Sequence, residues 1–112
     1  MRRRAVRSLA ALVAALGGAL ALASCGKPAP ATYTVTIANM AFGPAPDGLR
    51  VGDTIEWVNA DIFQHSATAK DSSFDADLPP HAHARTVLKK AGQVDVYCRY
   101  HPGMSGRLAV AS

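Results

Sequence analysis

The sequence predicts an all-β domain built as a two-sheet β-sandwich, and three observations carry that prediction. Residues 33–112 alternate apolar and polar side chains with a period of two, which is the spacing of a half-buried strand. Glycine and proline break the alternating runs, as they do at residues 43–48. This part of the chain lacks the periodicity of an amphipathic helix. Short strands separated by turn signals, without helices, favour two packed sheets.

Inward-facing side chains are expected throughout the first half of this domain. The first alternating run places its large apolar residues between threonines, and Gly52-Asp53 then turns the chain into a second strand over residues 54–59. Residues 71–80 are mostly polar and are expected to hold two anchors. The predicted inward-facing residues of the first run and of the polar segment are Tyr33, Val35, Ile37, Phe74 and Leu78.

The second half of the domain is predicted to contain a hairpin and a closing strand. Residues 89–92 have the composition of a hairpin turn, so residues 84–90 and 93–98 are expected to pair. In the second of these strands, Val94, Val96 and Cys98 share the inward face, which places the Cys98 sulfur inside at the strand end. Residues 107–110 are expected to close the domain.

The segment Cys98-Arg99-Tyr100-His101-Pro102-Gly103-Met104 carries the chemistry that the sequence predicts. A thiolate, an imidazole and a thioether recur there at every third position. These soft to borderline donors suit copper when a second imidazole completes a trigonal arrangement of two histidines and one cysteine. His65 is the best-placed upstream candidate. Taken singly, each residue has a plainer interpretation, because His65 fits a surface loop and Met104 fits a core.

The front of the chain predicts export. Four arginines stand within the first seven residues, and no further charge follows until Lys27. A basic start followed by an apolar run is typical of a signal peptide. The run ends in Leu22-Ala23-Ser24-Cys25, which resembles the bacterial lipobox, whose cysteine is lipidated. We therefore expect a signal peptide over 1–24, the lipidated Cys25 and a linker over 25–32, and a domain over 33–112. That domain is expected to be periplasmic and anchored to a membrane. The alternatives are an ordinary secreted protein and an uncleaved membrane anchor.

The basic net charge of the chain comes from its first residues rather than from the predicted domain. The formal net charge is +4, from 12 basic and 8 acidic residues, but four of the basic residues belong to the signal segment. The remainder has no formal net charge, so the basic balance gives no support to nucleic-acid binding. The two cysteines could form a disulfide in an exported protein, but that bond would leave the lipobox unexplained.

Residues 33–111 resemble a small cupredoxin, most closely amicyanin and the plastocyanin–pseudoazurin group. The features that carry the resemblance are residues 51–59, His65, Phe74-Asp75 and residues 97–104. The resemblance implies a Greek-key sandwich that carries single electrons between exported redox proteins. It also implies one type 1 copper ion, with His65, Cys98 and His101 as equatorial ligands and Met104 as the weak axial ligand. Such a metal has no open position for a substrate, so we expect no enzymatic activity.

Two positions depart from that family, and two histidines are unexplained by it. Ser66 stands where relatives commonly have asparagine, and Tyr100 stands where amicyanin-like loops often have proline. His81 and His83 follow two prolines, where relatives usually have a glycine-rich turn. They are either solvated histidines or a rim site that captures a second metal or tunes docking.

Two functions compete on these observations. The first is an electron shuttle that docks through residues 101–103 on redox proteins such as a cytochrome or a dehydrogenase. The second is a copper-binding and delivery protein, in which His81 and His83 supply extra ligands. We expect a monomer that reaches the membrane through its lipid and binds no nucleic acid. A metal-free adhesion module has no sequence feature in its favour.

Overall fold

The computed structural model describes residues 17–18 and 28–112. The predicted signal peptide, apart from residues 17–18, and the predicted lipidation site Cys25 lie outside these residues. No helix in the described part of the chain is long and apolar enough to cross a membrane.

The described residues form two β-sheets. The strands are β1 (Thr32–Ala38), β2 (Ala41–Phe42), β3 (Leu49–Arg50), β4 (Thr54–Asn59), β5 (His65–Ala69), β6 (Asp75–Leu78), β7 (His83–Val87), β8 (Gly92–Tyr97) and β9 (Ser105–Ala111). The first sheet has the order β2-β1-β4-β7, and the second has the order β3-β9-β8-β5-β6. Strand β1 runs parallel to β4, and β3 runs parallel to β9. The predicted all-β, two-sheet sandwich is confirmed.

The core lies between the sheets and follows from the period-two alternation. Val35 and Ile37 of β1 are buried, as are the predicted anchors Phe74 and Leu78, while Tyr33 is partly buried against the same cluster. Each fully buried large apolar side chain contributes about 1.5–3 kcal/mol relative to an exposed one. Trp57 is the largest of the fully buried side chains, and its indole N–H donates to Thr86 Oγ1 at 2.9 Å.

The predicted hairpin between residues 84–90 and 93–98 is wrong. Strand β7 pairs with β4 in the first sheet, whereas β8 pairs with β9 and β5 in the second. The reason is Leu88, which is buried and whose backbone N–H and C=O bond to Asp53 O and Gly52 N–H, both at 2.8 Å. These bonds hold residue 88 against the start of β4, and the next residues cross to the second sheet. His83, the first residue of β7, therefore pairs with Val58 of β4.

The turns gather at the two ends of the sandwich, and one end collects the predicted donors. Strand β4 ends there at Asn59, β5 begins there at His65, and β8 ends there at Tyr97. The β6–β7 turn, residues 79–82, also lies at this end, because Asn59 N–H donates to Ala82 O at 2.9 Å. We call this the loop end; it is formed by residues 59–65, 78–83 and 97–105.

Candidate metal centre

Three side-chain donors from two distant parts of the chain meet at the loop end. His65 begins β5, Cys98 follows the last residue of β8, and His101 lies three residues later. Their donor atoms all lie within 4.8 Å of one another, and they form the one such group of three among the described residues. His65 Nδ1 lies 3.8 Å from Cys98 Sγ, and the two imidazole rings are 4.9 Å apart, centroid to centroid.

The Cys98 sulfur is held inside by the strand that precedes it. Val94 and Val96 of β8 are buried on the same face, and Cys98 continues their alternation with only 4% of its surface exposed. In the described part of the chain Cys98 is a free cysteine. A thiol buried at a strand end beside two imidazoles is not exposed as a surface nucleophile would be.

A tight turn returns the chain from Cys98 to β9. Cys98 N–H donates to Met104 O at 3.0 Å, and Met104 N–H donates to His101 O at 3.2 Å. Gly103 has a φ of +85°, a conformation that glycine adopts without steric cost, and this allows the turn to close. The Met104 side chain is buried in the same apolar cluster as Cys98. The turn thus brings the thioether residue back to the level of the cysteine.

Hydrogen bonds show which ring nitrogen of His65 and of His101 carries the proton and which has the free lone pair. His65 Nε2 lies 2.8 Å from Asp61 Oδ2, and His101 Nε2 lies 2.8 Å from the backbone oxygen of Gln64. Carboxylate and carbonyl oxygens only accept, so each Nε2 carries the proton. In the neutral rings the lone pair is therefore on Nδ1. For His65 this is the nitrogen that faces Cys98.

Asp61 orients His65 and was missed from the sequence. Its two carboxylate oxygens also accept the backbone N–H groups of Asn39 and Met40, at 2.8 and 2.9 Å. Those two residues form the β1–β2 turn with positive φ values of 52° and 62°. The hydrogen bond from Met40 first, then that from His65, lowers the pKa of Asp61, so the carboxylate stays charged. An acidic residue four positions before the histidine was the available signal.

Asn59 fixes the loop that leads to His65, and it too was missed. Its side chain is buried, and its amide nitrogen donates to the carbonyl oxygens of Phe63, Leu78 and Pro79 at 2.8, 3.0 and 3.1 Å. Its amide oxygen accepts Asp61 N–H at 2.9 Å. One buried side chain thus joins the residue 60–64 loop to the end of β6.

Ser66 links the two segments that carry the donors. Its hydroxyl oxygen accepts the Arg99 backbone N–H at 2.9 Å. The serine therefore supplies a side-chain bond between the start of β5 and the turn after Cys98. The link fixes the position of Cys98 relative to His65.

The structure does not bring His81 and His83 into this group. His83 is exposed and its Nδ1 lies 3.2 Å from Glu56 Oε1, while Glu56 also pairs with Arg85 at 2.9 Å. His81 adopts a positive φ of 61° in the turn before β7. Both lie at the loop end, but outside the three-donor group of the described residues.

The residues present fit a copper ion. Two imidazole nitrogens and one thiolate are the donor set of blue copper sites, with a thioether as the usual weak fourth donor. His65 is fully buried and Cys98 almost so, which excludes water from two of the three donors. Both rings are already held by hydrogen bonds at their second nitrogen, as is general for metal-bound histidine.

Comparisons with known proteins agree with this geometry. No protein-family model matches the chain. The methylamine utilization protein MauL of Methylorubrum extorquens is 37% identical, over 75% of this chain and 78% of that protein. A plastocyanin of Nostoc punctiforme is 31% identical, over 70% of this chain and 73% of that protein. An oxidized methionine-to-leucine mutant of amicyanin superposes with a TM-score of 0.61 at 23% identity, covering 69% of this chain and 79% of amicyanin.

Proposed function

The chain belongs to the cupredoxin family, and from that premise we propose that His65, Cys98 and His101 hold its copper ion equatorially, with Met104 as a weak axial ligand. The protein is a blue copper protein that carries single electrons. The observation that carries the proposed ligand set is the convergence of the three donor atoms to within 4.8 Å, with the second nitrogen of each ring already bonded.

The residues around the site support electron transfer because they are held before any metal binds. When bound, copper supplies a one-electron Cu(II)/Cu(I) couple whose potential the weak thioether donor raises. His65 is oriented by Asp61, Cys98 by its strand and its bond to Met104, and His101 by Gln64. Donors fixed in this way change little between the two charge states, which favours rapid exchange of an electron without bond rearrangement.

The surface around His101 is the proposed docking face for redox partners. His101 is half-buried, whereas Pro102 and Gly103 are exposed. Ile62 and Phe63, with exposed fractions of 72% and 50%, lie in the neighbouring loop, which contacts His101 through Gln64. Large exposed apolar side chains next to a polar site are typical of a protein-binding patch. The partners we propose are redox proteins such as a cytochrome or a dehydrogenase.

Export and attachment to a membrane through Cys25 complete the proposal. The support is the arginine-rich start, the uncharged run and the lipobox-like Leu22-Ala23-Ser24-Cys25. A Cys25→Ser variant expressed with its full signal segment is expected to leave the membrane fraction. Membrane retention equal to that of the wild type would contradict lipid attachment at this residue.

Copper retention by single-residue variants tests the ligand set. The metal-free wild type is loaded with Cu(II), passed over a chelating column and assayed for bound copper. His65→Ala and His101→Ala are expected to lose the metal, whereas His83→Ala, which removes an exposed histidine outside the group, is expected to keep it. Loss of copper from His83→Ala, or retention by both of the other variants, would contradict the assignment.

The same loaded protein separates electron transfer from copper delivery. Burial of His65 and Cys98 favours a metal that stays in place during redox cycling. Mixed with a metal-free copper acceptor, the loaded protein is therefore expected to keep its copper. Transfer of the copper to the acceptor would support the delivery function instead.

A further inference from the structure

One exposed carboxylate contacts a sequence neighbour of each of the three equatorial donors. Asp77 lies on the edge strand β6, and its side chain is 57% exposed. Its Oδ1 accepts hydrogen bonds from Gln64 Nε2 at 3.3 Å, Arg99 Nη2 at 3.0 Å and Tyr100 Oη at 2.6 Å. These three residues are adjacent in sequence to His65, Cys98 and His101 respectively.

Arg99 is held at both its backbone and its side chain. Its N–H donates to Ser66 Oγ, which lies 3.0 Å from Thr68 Oγ1, and Thr68 Oγ1 donates to Asp75 Oδ1 at 2.8 Å. The guanidinium closes this chain of hydrogen bonds, because its Nη1 pairs with Asp75; its Nη2 pairs with Asp77. Arg99, which follows Cys98, is therefore bonded to β5 through its backbone and to β6 through its side chain.

The arrangement differs from an isolated surface ion pair. A single exposed pair contributes little to stability, because water screens it and two long side chains must be ordered. Here the guanidinium of Arg99 pairs with two carboxylates, those of Asp75 and Asp77. The Tyr100 hydroxyl adds a short hydrogen bond to Asp77 Oδ1, the oxygen that also accepts from Arg99. Networks of this kind act together, so the loss of the shared acceptor affects all three donors at once.

We propose that Asp77 is a positioning residue for the metal centre, acting through Gln64, Arg99 and Tyr100 on the segments that carry His65, Cys98 and His101. This inference rests on the proposed copper site. Asp77 does not touch the metal. It fixes the two ligand-bearing segments relative to each other, and thus the geometry into which copper binds.

The test compares Asp77→Ala with Asp95→Ala. Asp95 on β8 forms an exposed ion pair with Arg107 on β9 at 2.7 Å. It is the matched control because this pair includes no residue adjacent in sequence to His65, Cys98 or His101. Two quantities are measured: the hydrogen-exchange rate of the Arg99 amide in the metal-free protein, and the rate of Cu(II) loss to a chelator from the loaded protein. Asp77→Ala is expected to raise both rates about 3- to 10-fold, at or below the low end of the effects seen when a residue that orients a metal ligand is removed. It is also expected to shift the visible and EPR spectra of the Cu(II) form. Asp95→Ala is expected to leave all three unchanged.

Rates and spectra of Asp77→Ala equal to those of Asp95→Ala would overturn the inference while leaving the copper site intact. Failure of the wild type to take up Cu(II) would instead remove the proposed function, and this inference with it. If Asp77→Ala does not fold, Asp77→Asn carries the same test, because it keeps the side-chain volume and one acceptor but loses the charge. Asp77→Asn is expected to raise both rates above those of the wild type, by less than about 10-fold. Rates and spectra equal to those of the wild type would overturn the inference.

Discussion

His65 Nε2 lies 2.8 Å from Asp61 Oδ2, so one nitrogen of this ring is bonded to a carboxylate while the other faces Cys98 Sγ at 3.8 Å. The carboxylate also accepts both N–H groups of the β1–β2 turn. A histidine oriented in this way needs no rearrangement to present Nδ1 to a metal. The β1–β2 turn of the first sheet thus helps to set the position of one proposed ligand.

Asp61→Asn is expected to weaken copper binding. The amide keeps the shape of the side chain but removes the charge that supports the His65 Nε2–H bond, and changes of this type cost about 10-fold or more in metal affinity. The measurement is competition for Cu(II) with a chelator of known affinity. Asp71→Asn is the control, because Asp71 caps Ser73 N–H in an exposed turn. Equal affinities for the two variants would show that Asp61 has no role in orienting the ligand.

Asn59→Ala is expected to destabilise the fold strongly. The substitution removes the amide that donates to the carbonyl oxygens of Phe63, Leu78 and Pro79. Pro79 O keeps its bond from Ala82 N–H at 2.9 Å, but the other two oxygens lose this donor. Unsatisfied buried groups cost about 1–3 kcal/mol each, so we expect a loss of about 3 kcal/mol in the free energy of unfolding. Urea denaturation of the metal-free protein measures it. Gln93→Ala, at an exposed position of β8, should stay within about 0.5 kcal/mol of the wild type. A similarly small change for Asn59→Ala would contradict the role given to this residue.

Ile62→Glu is expected to slow electron exchange without altering the metal site. Two copies that meet through this face would lose an apolar contact and gain like charges, which lowers the rate of association. The electron self-exchange rate, measured by NMR on mixed oxidised and reduced protein, should fall about 10-fold, the equivalent of about 1.4 kcal/mol. The visible spectrum should not change. Val87→Glu, exposed at the opposite end of the sandwich, is the control; an equal effect there would argue against a docking face near His101.

Asp53 is expected to contribute stability that disappears in acid. Its carboxylate accepts Ala31 N–H and Arg50 N–H, both at 2.9 Å, and these bonds, that of Ala31 first, lower its pKa from 3.8. Because the pKa is lowered in the folded state, the contribution is complete above 3.8 and is lost as the pH falls through the folded value. The Tm difference between the metal-free wild type and Asp53→Asn should therefore narrow from about pH 6 to about pH 3. A difference that stays constant or widens in acid would contradict this account.

Much of the fold could be predicted from the sequence because burial alternates along β1, β4 and β8, although all five residues of β5 are buried. Val35 and Ile37 of β1, and Val94 and Val96 of β8, are buried at the predicted positions. The failure at residues 84–98 has a physical cause. Turn residues show where a strand ends, but they do not show which sheet the next strand joins. Here the bonds of Leu88 to the start of β4 decide the crossing.

The donor group was accessible from the sequence, whereas its supports were not. Cys98, His101 and Met104 recur at a fixed spacing, and the donor chemistry of such residues can be recognised without a structure. Asp61 and Asp77 act across strands, through contacts that depend on the register of β5 against β6 and on the β1–β2 turn. The spacing of Asp61 and His65, four residues apart, was the one local signal, whereas the contacts of Asp77 are set by tertiary packing.

The colour of the copper-loaded protein tests the central claim most directly. The wild type and Cys98→Ser are each loaded with Cu(II), and visible absorption is followed during reduction and reoxidation. A Cu(II) ion bound by the Cys98 thiolate predicts an intensely blue wild type that bleaches on uptake of one electron per chain and recovers on reoxidation. The serine variant is expected to be colourless. A colourless wild type, or a blue colour that persists in Cys98→Ser, would contradict the copper–thiolate centre on which this account depends.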